Sequence, residues 1–175
     1  MARDEKSLFS PPISRPDPYT GHLTSTPDNA MGTLEKAISF KSQRFDFKST
    51  LPDEYNAGNR FYGRDAAAYF CEQLNGKGLA ADFLDEDWGW LILGSCDAST
   101  EFEIAVFNVN EHSEGGRPGA PEWGLWMRAF QRKKILGLLP KKVQVGVPFG
   151  VEAVVLDAIK QLGASPQDWS DGPGR

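Results

Sequence analysis

The sequence is poor in the residues that most often carry catalysis or bind metals. Its 175 residues include two cysteines, Cys71 and Cys96, and two histidines, His22 and His112. Two cysteines are too few for a disulfide framework, and this pair lacks the spacing of a metal site. We therefore expect both cysteines to act as small buried hydrophobic residues in a reducing compartment. We also expect no cofactor and no bound metal.

The sequence also lacks a long apolar run and the short motifs of the common enzyme classes. No window approaches the ~18 apolar residues of a membrane span, and residues 1–10 are charged where a signal peptide would be apolar. G-x-S-x-G, H-E-x-x-H, C-x-x-C and the phosphate-binding P-loop are all missing. We therefore expect a soluble, cytoplasmic protein that belongs to none of the enzyme classes these motifs mark.

Positive charge is in the minority. The chain has 19 basic and 24 acidic residues, a formal net charge of −5 and a pI near 5.1. Proteins that bind duplex nucleic acid usually present a basic face, and this sequence has one short basic cluster at 132–134. We expect neither nucleic acid nor a membrane as its partner.

Composition and proline content predict how the chain is divided. A chain of this length with 40% hydrophobic residues can form one packed domain. Residues 1–32 are rich in proline and serine, which predicts a flexible N-terminal tail. We expect a single domain over 33–165 and a polar C-terminal tail over 166–175.

The spacing of apolar residues predicts two helices and several strands. Apolar residues at helical spacing predict one helix over 64–75 and a second that begins at Val151 and ends before Gly163. Alternating residues predict strands over 38–47, 79–84, 88–93, 102–109, 123–130 and 143–147, and 136–139 is interpreted as a helical turn. Short turns between strands favour antiparallel pairing. We predict an α+β fold with two layers: a mostly antiparallel sheet of about five to six strands, with two main helices on one face.

An acidic run followed by two tryptophans is the most distinctive stretch. Asp85, Glu86 and Asp87 immediately precede Trp88 and Trp90. Paired carboxylates can perform acid–base chemistry or bind a hard cation, although a solvated turn is the simpler interpretation. A histidine on the long loop over 110–122 could join them as a base.

The tryptophans are the better indication of binding. Trp88 and Trp90 fall in one predicted strand and share a face, whereas Trp123 and Trp126 in another strand point to opposite faces. At least one of the four is then expected to face outward or to cap an edge. Tryptophan is enriched at the centres of protein interfaces. An acidic turn beside an exposed tryptophan suits a basic protein partner better than nucleic acid.

Three passages taken together resemble a known family. They are Leu51-Pro52-Asp53-Glu54-Tyr55-Asn56, Tyr62-Gly63 before the first helix, and Glu86-Asp87-Trp88-Gly89-Trp90. This order resembles a family of small uncharacterised bacterial proteins with the pattern L-P-E/D…N-x-G…Y-G…E-D-W-G-W. Where that family tends to have Trp-Leu in the helix, this chain has Tyr69-Phe70. The resemblance covers about residues 45–93. It implies a bacterial origin and a compact domain but no particular reaction.

These observations favour a small binding protein that acts by protein–protein contact. An immunity-type inhibitor that masks a toxin's active site is one concrete form of this hypothesis. One alternative is a hydrolase that uses the carboxylates of 85–87, with or without His112 and a divalent metal ion. Another is a homo-oligomeric scaffold that pairs through an exposed sheet edge. The predicted binding residues are Tyr55, Asn56, Tyr62, Asp85, Glu86, Asp87, Trp88, Trp90 and Trp126.

Overall fold

The computed structural model describes residues 31–109, 121–135 and 139–169. Within them the chain forms an α+β fold with one mostly antiparallel sheet of seven strands and two α-helices. The predicted fold class is confirmed, with one strand more than expected. The predictions for residues 1–30 and for the loop that contains His112 lie outside the described residues.

The elements, in chain order, are β1 (Glu35–Lys41), a short 3₁₀ helix (Tyr55–Gly58), α1 (Arg64–Gly76), β2 (Ala80–Glu86), β3 (Gly89–Ser95), β4 (Thr100–Asn108), β5 (Glu122–Ile135), β6 (Leu139–Val145), α2 (Phe149–Gln161) and β7 (Gln167–Asp168).

The long strand β5 organises the sheet. The strand order is β2-β3-β4-β5-β1-β7, and β6 is a further partner of β5. One edge of β5 pairs with β4. The other edge pairs first with β1, over 122–128, and then with β6, over 129–135. The second half of β5 therefore forms a hairpin with β6.

Alternation along the strands separates a core face from an open face. On β4, Phe102, Ile104 and Val106 are buried beneath the helices. Helix α1 contributes an apolar stripe to the same core, and the hydroxyl of Tyr69 in α1 donates a hydrogen bond of 2.9 Å to the carbonyl of Ala158 in α2. The largest side chains that are fully buried are Trp123, Phe40, Phe70, Phe102, Ile38, Leu74, Ile92, Ile104, Leu125, Met127, Ile159 and Val106.

Three of the differences from the sequence-based predictions change how a segment contributes to the fold. The first strand ends at Lys41, because the chain then leaves the sheet and inserts Phe45 among the core aromatic rings. Leu139 begins a strand where a helical turn was predicted, because it pairs with Ile135 across the hairpin. In the stretch predicted as a C-terminal tail, residues 167–168 pair with β1, and the ring of Trp169 packs 5.4 Å from that of Phe107.

Neither helix of the described residues could cross a bilayer. Each has 13 residues, and neither combines the length with the apolar character that a membrane span needs.

Candidate functional site

The turn between β2 and β3 gathers most of the predicted binding residues. We call residues 85–90 the hairpin tip. Glu86 pairs with Gly89, and Asp87 and Trp88 form the two-residue turn between them. Gly89 has a φ of 153°, and a Cβ there would lie 3.0 Å from the carbonyl oxygen of Val106. Glycine therefore allows β3 to start this close to β4.

A buried asparagine holds the hairpin tip in place through hydrogen bonds. The side-chain amide of Asn56 donates hydrogen bonds to the carbonyls of Glu86 (2.8 Å) and Gly89 (2.6 Å). Its side-chain oxygen accepts one from the backbone N–H of Phe61 (3.1 Å). The backbone N–H of Asn56 donates to the carboxylate of Asp85 at 3.0 Å. One fully buried residue thus holds both sides of the turn.

The loop that carries Asn56 has an unusual backbone. Asn56, Ala57 and Gly58 have φ values of 51°, 52° and 87°, and Arg60 has a φ of 62°. A left-handed conformation costs a residue other than glycine about 1–2 kcal/mol, and least for asparagine. Contacts with the hairpin tip offset this cost, including a hydrogen bond of 2.7 Å from the side-chain amide of Asn59 to the carbonyl of Asp87.

The aromatic residues near the turn have different roles. Trp90 is only 4% exposed, and its indole N–H donates to the carbonyl of Phe61 at 3.2 Å. The ring of Tyr55 packs edge-on against Trp90 with centroids 5.8 Å apart. The hydroxyl of Tyr62 donates to the carbonyl of Ser49 at 2.9 Å. Trp90 and the half-buried Tyr55 therefore support the site by packing beneath it, whereas the half-buried Tyr62 bonds to the loop at Ser49.

Trp88, in contrast, is presented to solvent. Its side chain is 40% exposed at the apex of the hairpin, and Asp85 and Asp87 beside it are also exposed. The prediction that at least one tryptophan faces outward is confirmed at this residue. The prediction that Trp88 and Trp90 share a strand face is wrong, because Trp88 lies in the turn and the strand begins at Gly89.

Trp126 does not join the hairpin tip. It lies in β5 on the open face of the sheet, where its neighbour across β4 is Ala105. The guanidinium of Arg128 lies over its ring, 4.9 Å from the centroid. Strand β4 thus separates Trp126 from β3, and Trp126 lies on the sheet face opposite to Trp90.

The structure adds three residues that sequence reasoning missed. Leu84 and Leu91 face each other across β2 and β3, and Leu93 follows on the same face. Leu84 and Leu93 are exposed, and Leu91 is half-buried. We call these three the apolar strip. Alternation along both strands is the sequence signal that would have found it.

The outer edge of β2 is partly covered. The side chain of Asn75 accepts from the N–H of Ala81 and donates to its carbonyl, both at 2.9 Å. These backbone groups are therefore not available to a strand from another chain. The homo-oligomeric alternative remains a prediction.

The acidic residues do not form a metal site with other described residues. No group of three or more histidine, cysteine or acidic side chains is placed to hold a metal ion within the part of the chain that the structure describes. The carboxylate of Asp85 instead accepts the N–H of Asn56. The hydrolase alternative also involves His112, which lies outside the described residues, so it remains a prediction.

Both cysteines are free thiols with packing roles. Cys71 is buried in α1 and contacts the carbonyl of Ala81 at 3.2 Å. Burial raises the pKa of the Cys71 thiol. Burial, helped by the charge of Asp97, raises the pKa of Cys96 to about 11. Neither is activated as a nucleophile, since reactive thiols have lowered pKa values.

Comparisons of the chain with protein-family models, with curated proteins and with solved structures found no significant match. The resemblance to small bacterial proteins therefore stays a prediction. Inferences about function therefore depend on the geometry of the hairpin tip.

Proposed function

We propose that this chain is a small binding protein that acts through protein–protein contact, with the hairpin tip as the main contact. The exposure of Trp88 at the apex of a firmly held turn is the observation that carries the proposal. Truncation of a central tryptophan is among the most costly changes at protein interfaces. Trp88 is the anchor in this proposal.

Rigidity of the turn supports this role. Binding energy is lost when a flexible loop has to be ordered. In the unbound chain, the side chains of Asn56 and Asn59 already hydrogen-bond the backbone of the turn. Residues other than glycine in the left-handed conformation, such as Ala57, also cluster at functional sites, where the surrounding structure holds the backbone in place.

The surroundings of Trp88 favour a partner that is basic and partly apolar. Asp85, Glu86 and Asp87 place acidic groups around the tryptophan. Charge of one sign at an interface favours partners of the opposite sign and accelerates their association. The apolar strip lies on the same two strands and could extend the contact.

An immunity-type inhibitor in a bacterial cytoplasm is the most concrete form of the proposal. Such a protein neutralises a toxin by covering its active site, so it needs an acidic or apolar contact surface and no catalytic group of its own. The small size, the net charge of −5 and the absence of the common catalytic motifs all fit this role.

Affinity capture from the native host tests the proposal. We expect the wild-type chain to retain a stoichiometric partner and Trp88→Ala to lose it, because loss of a central tryptophan lowers affinity about 30-fold or more. Phe149→Ala is the matched control, since Phe149 is 50% exposed at the start of α2. The partner should remain bound to this control.

Two results would contradict parts of the proposal. Equal capture by wild type and a folded Trp88→Ala variant would exclude the hairpin tip as the contact. Unchanged affinity after Asp85, Glu86 and Asp87 are replaced together by alanine would exclude the acidic contribution. The inhibitor form also requires that co-expression of the chain suppress the toxicity of the captured partner.

A further inference from the structure

The open face of the sheet carries a continuous row of apolar side chains. Its members pair directly across four neighbouring strands: Leu84 in β2, Leu91 in β3, Ala105 in β4 and Trp126 in β5. We call these four residues the apolar row. Leu84 is exposed, and Leu91 and Trp126 are half-buried. None of the four belongs to the core beneath α1 and α2, because the helices pack on the other face.

The surface beside the apolar row is also apolar. Phe107 and Gly124 form the next open-face pair on the side of the hairpin tip. A Cβ at Gly124 would clash with the ring of Phe107, so glycine allows this ring to lie flat against the sheet. On the other side of the row, the exposed Leu93 follows Leu91 along β3. The apolar surface is therefore wider than one row.

The part of the open face beside β6 is charged, and its charges neutralise one another. Glu103 accepts hydrogen bonds from Arg128 at 2.7 Å and from Lys142 at 2.9 Å. Glu101 forms a salt bridge with Arg132. Acidic and basic side chains that are paired in this way do not need a charge from a partner. The apolar row is therefore the part of the open face that a partner would cover.

Two acidic residues without a counter-charge lie near the ends of the apolar row. Asp82 in β2 and Glu35 in β1 are the outer members of the next cross-strand row, whose inner members are Leu93, Glu103 and Arg128. Both are exposed, and neither forms a salt bridge within the part of the chain that the structure describes. Glu35 accepts a hydrogen bond from the neutral amide of Gln144. Four spacings between strands, each about 4.8 Å, place the two acids roughly 19 Å apart.

The face of a sheet suits a helix better than an extended chain. The backbone groups of a strand point toward its neighbours in the sheet, so the face offers none of them to a partner. An extended segment on this face would bury unpaired N–H and C=O groups of its own. A helix pairs these groups internally, and at 1.5 Å per residue about 13 residues cover the roughly 19 Å between Asp82 and Glu35.

We propose that the apolar row binds a basic amphipathic helix of about four turns on the partner protein. The apolar stripe of this helix contacts the row, and its lysine or arginine side chains lie beside Asp82 and Glu35. This inference rests on the proposed function, because it takes a protein as the partner, and it identifies the element of the partner that is recognised. A second copy of this acidic chain, or an anionic polymer, would meet carboxylates of its own sign at both ends of the row.

Fluorescence anisotropy with a labelled synthetic peptide and the full chain tests this proposal. The probe is a capped peptide of about 14 residues, made of leucine and lysine with leucine at helical spacing. We expect it to bind, and to bind less as salt is added. Two matched peptides should bind at least about tenfold more weakly, one with glutamate in place of lysine and one with the same composition in alternating order.

An apolar double variant locates the peptide on the open face. Leu84→Ser, Leu93→Ser should raise the Kd of the leucine–lysine peptide about tenfold or more, because it removes apolar area from the contact. Leu34→Ser, Phe149→Ser is the matched control, since both residues lie outside the apolar row and are more exposed than either leucine. We expect this control to change the Kd less than about threefold.

A charge double variant tests the contribution of the two acids. Asp82→Asn, Glu35→Gln should raise the Kd about threefold or more and weaken its dependence on salt. Glu72→Gln, Asp157→Asn removes the same charge at exposed acids of α1 and α2, and it should leave the Kd within about twofold. Thermal unfolding of each variant shows whether it is folded.

Four outcomes would overturn the proposal. The first is no binding of the leucine–lysine peptide to the wild-type chain. The second is an equal loss in either double variant and its control. The third is a dimer of the chain that dissociates in Leu84→Ser, Leu93→Ser, which would assign the row to a second copy. The fourth is loss of peptide binding in Trp88→Ala, which would place the peptide at the hairpin tip.

This proposal and the proposed function can fail separately. We expect Trp88→Ala to lose the captured partner but to bind the peptide as wild type does. Peptide binding without any captured partner would support the apolar row alone. Capture that depends on Trp88, without peptide binding, would support the hairpin tip alone.

Discussion

The buried side chain of Asn56 hydrogen-bonds three backbone groups in two segments, the hairpin tip and the loop before α1. Its amide nitrogen donates to the carbonyls of Glu86 and Gly89, and its amide oxygen accepts from the N–H of Phe61. Its own φ of 51° is also better tolerated by asparagine than by most residues. Asn56 therefore links the strained loop to the hairpin tip.

Replacement of Asn56 by alanine should destabilise the fold considerably. Each buried group left without a partner costs about 1–3 kcal/mol, so we expect the free energy of unfolding to fall by about 3 kcal/mol or more. Urea unfolding measures this. Asn59→Ala, which removes one exposed hydrogen bond, is the control and should cost less than about 1.5 kcal/mol. Equal losses in the two variants would show that Asn56 does not have this role.

Glu103 should make stability depend on pH. Burial alone would raise the pKa of its carboxyl, but hydrogen bonds from Lys142 and Arg128 outweigh burial and lower the pKa below 4.5. A carboxyl with a lowered pKa stabilises the fold above its unfolded pKa, and this contribution is lost as pH falls through the folded pKa.

The matched variant is Glu103→Gln, which cannot ionise. We expect it to be less stable than wild type at neutral pH, with the difference shrinking once the pH falls below about 4.5. Unfolding free energies measured across this pH range provide the test. A difference that stays constant with pH would mean that the charge of Glu103 does not contribute.

At the scale of elements, local patterns were predicted better than long-range pairing. Helices α1 and α2 follow from helical spacing over about a dozen residues, and their ends agree with the prediction to within two residues or so. The extension of β5 through Ile135 depends on β6, and that pairing has no local sequence signal. The same reason explains why a strand was missed at Leu139.

The sequence identified the segments of the candidate site but not how those segments are arranged in space. The resemblance singled out Asn56 and Trp88 together, but Asn56 bonds to residues about 30 positions away, Asp85 and Gly89. Only the fold shows that Asn56 is a buried support and Trp88 an exposed anchor. Similarly, Trp126 could not be assigned to the open face until the order of the strands was known.

Lys133 and Lys141 are like charges directly opposite each other in β5 and β6, which leads to a prediction at this scale. Lys133→Glu replaces a like-charged pair with an attractive one opposite Lys141, so we expect a stabilisation of up to about 1 kcal/mol. Lys133→Gln, which removes the repulsion without adding attraction, should fall between it and wild type. Thermal unfolding checks the order. A lower melting temperature for Lys133→Glu would contradict the assigned register or the repulsion.

At the scale of the whole molecule, the acidic hairpin tip and the cationic pair Lys133 and Lys141 lie at opposite ends of the sheet. Trp90 at the hairpin tip aligns through Val106 with Leu125 on β5. Lys133 lies eight residues farther along the same strand, which is about 25–30 Å. This distance separates the acidic residues of the hairpin tip from the exposed cationic pair Lys133 and Lys141.

The affinity of the captured partner for three variants tests the central claim most directly. Isothermal titration calorimetry would compare wild type, Trp88→Ala and Phe149→Ala, each shown to be folded. We expect the Kd to rise about 30-fold or more for Trp88→Ala and less than about threefold for Phe149→Ala. Equal Kd values for wild type and Trp88→Ala would contradict the assignment of the hairpin tip as the binding surface.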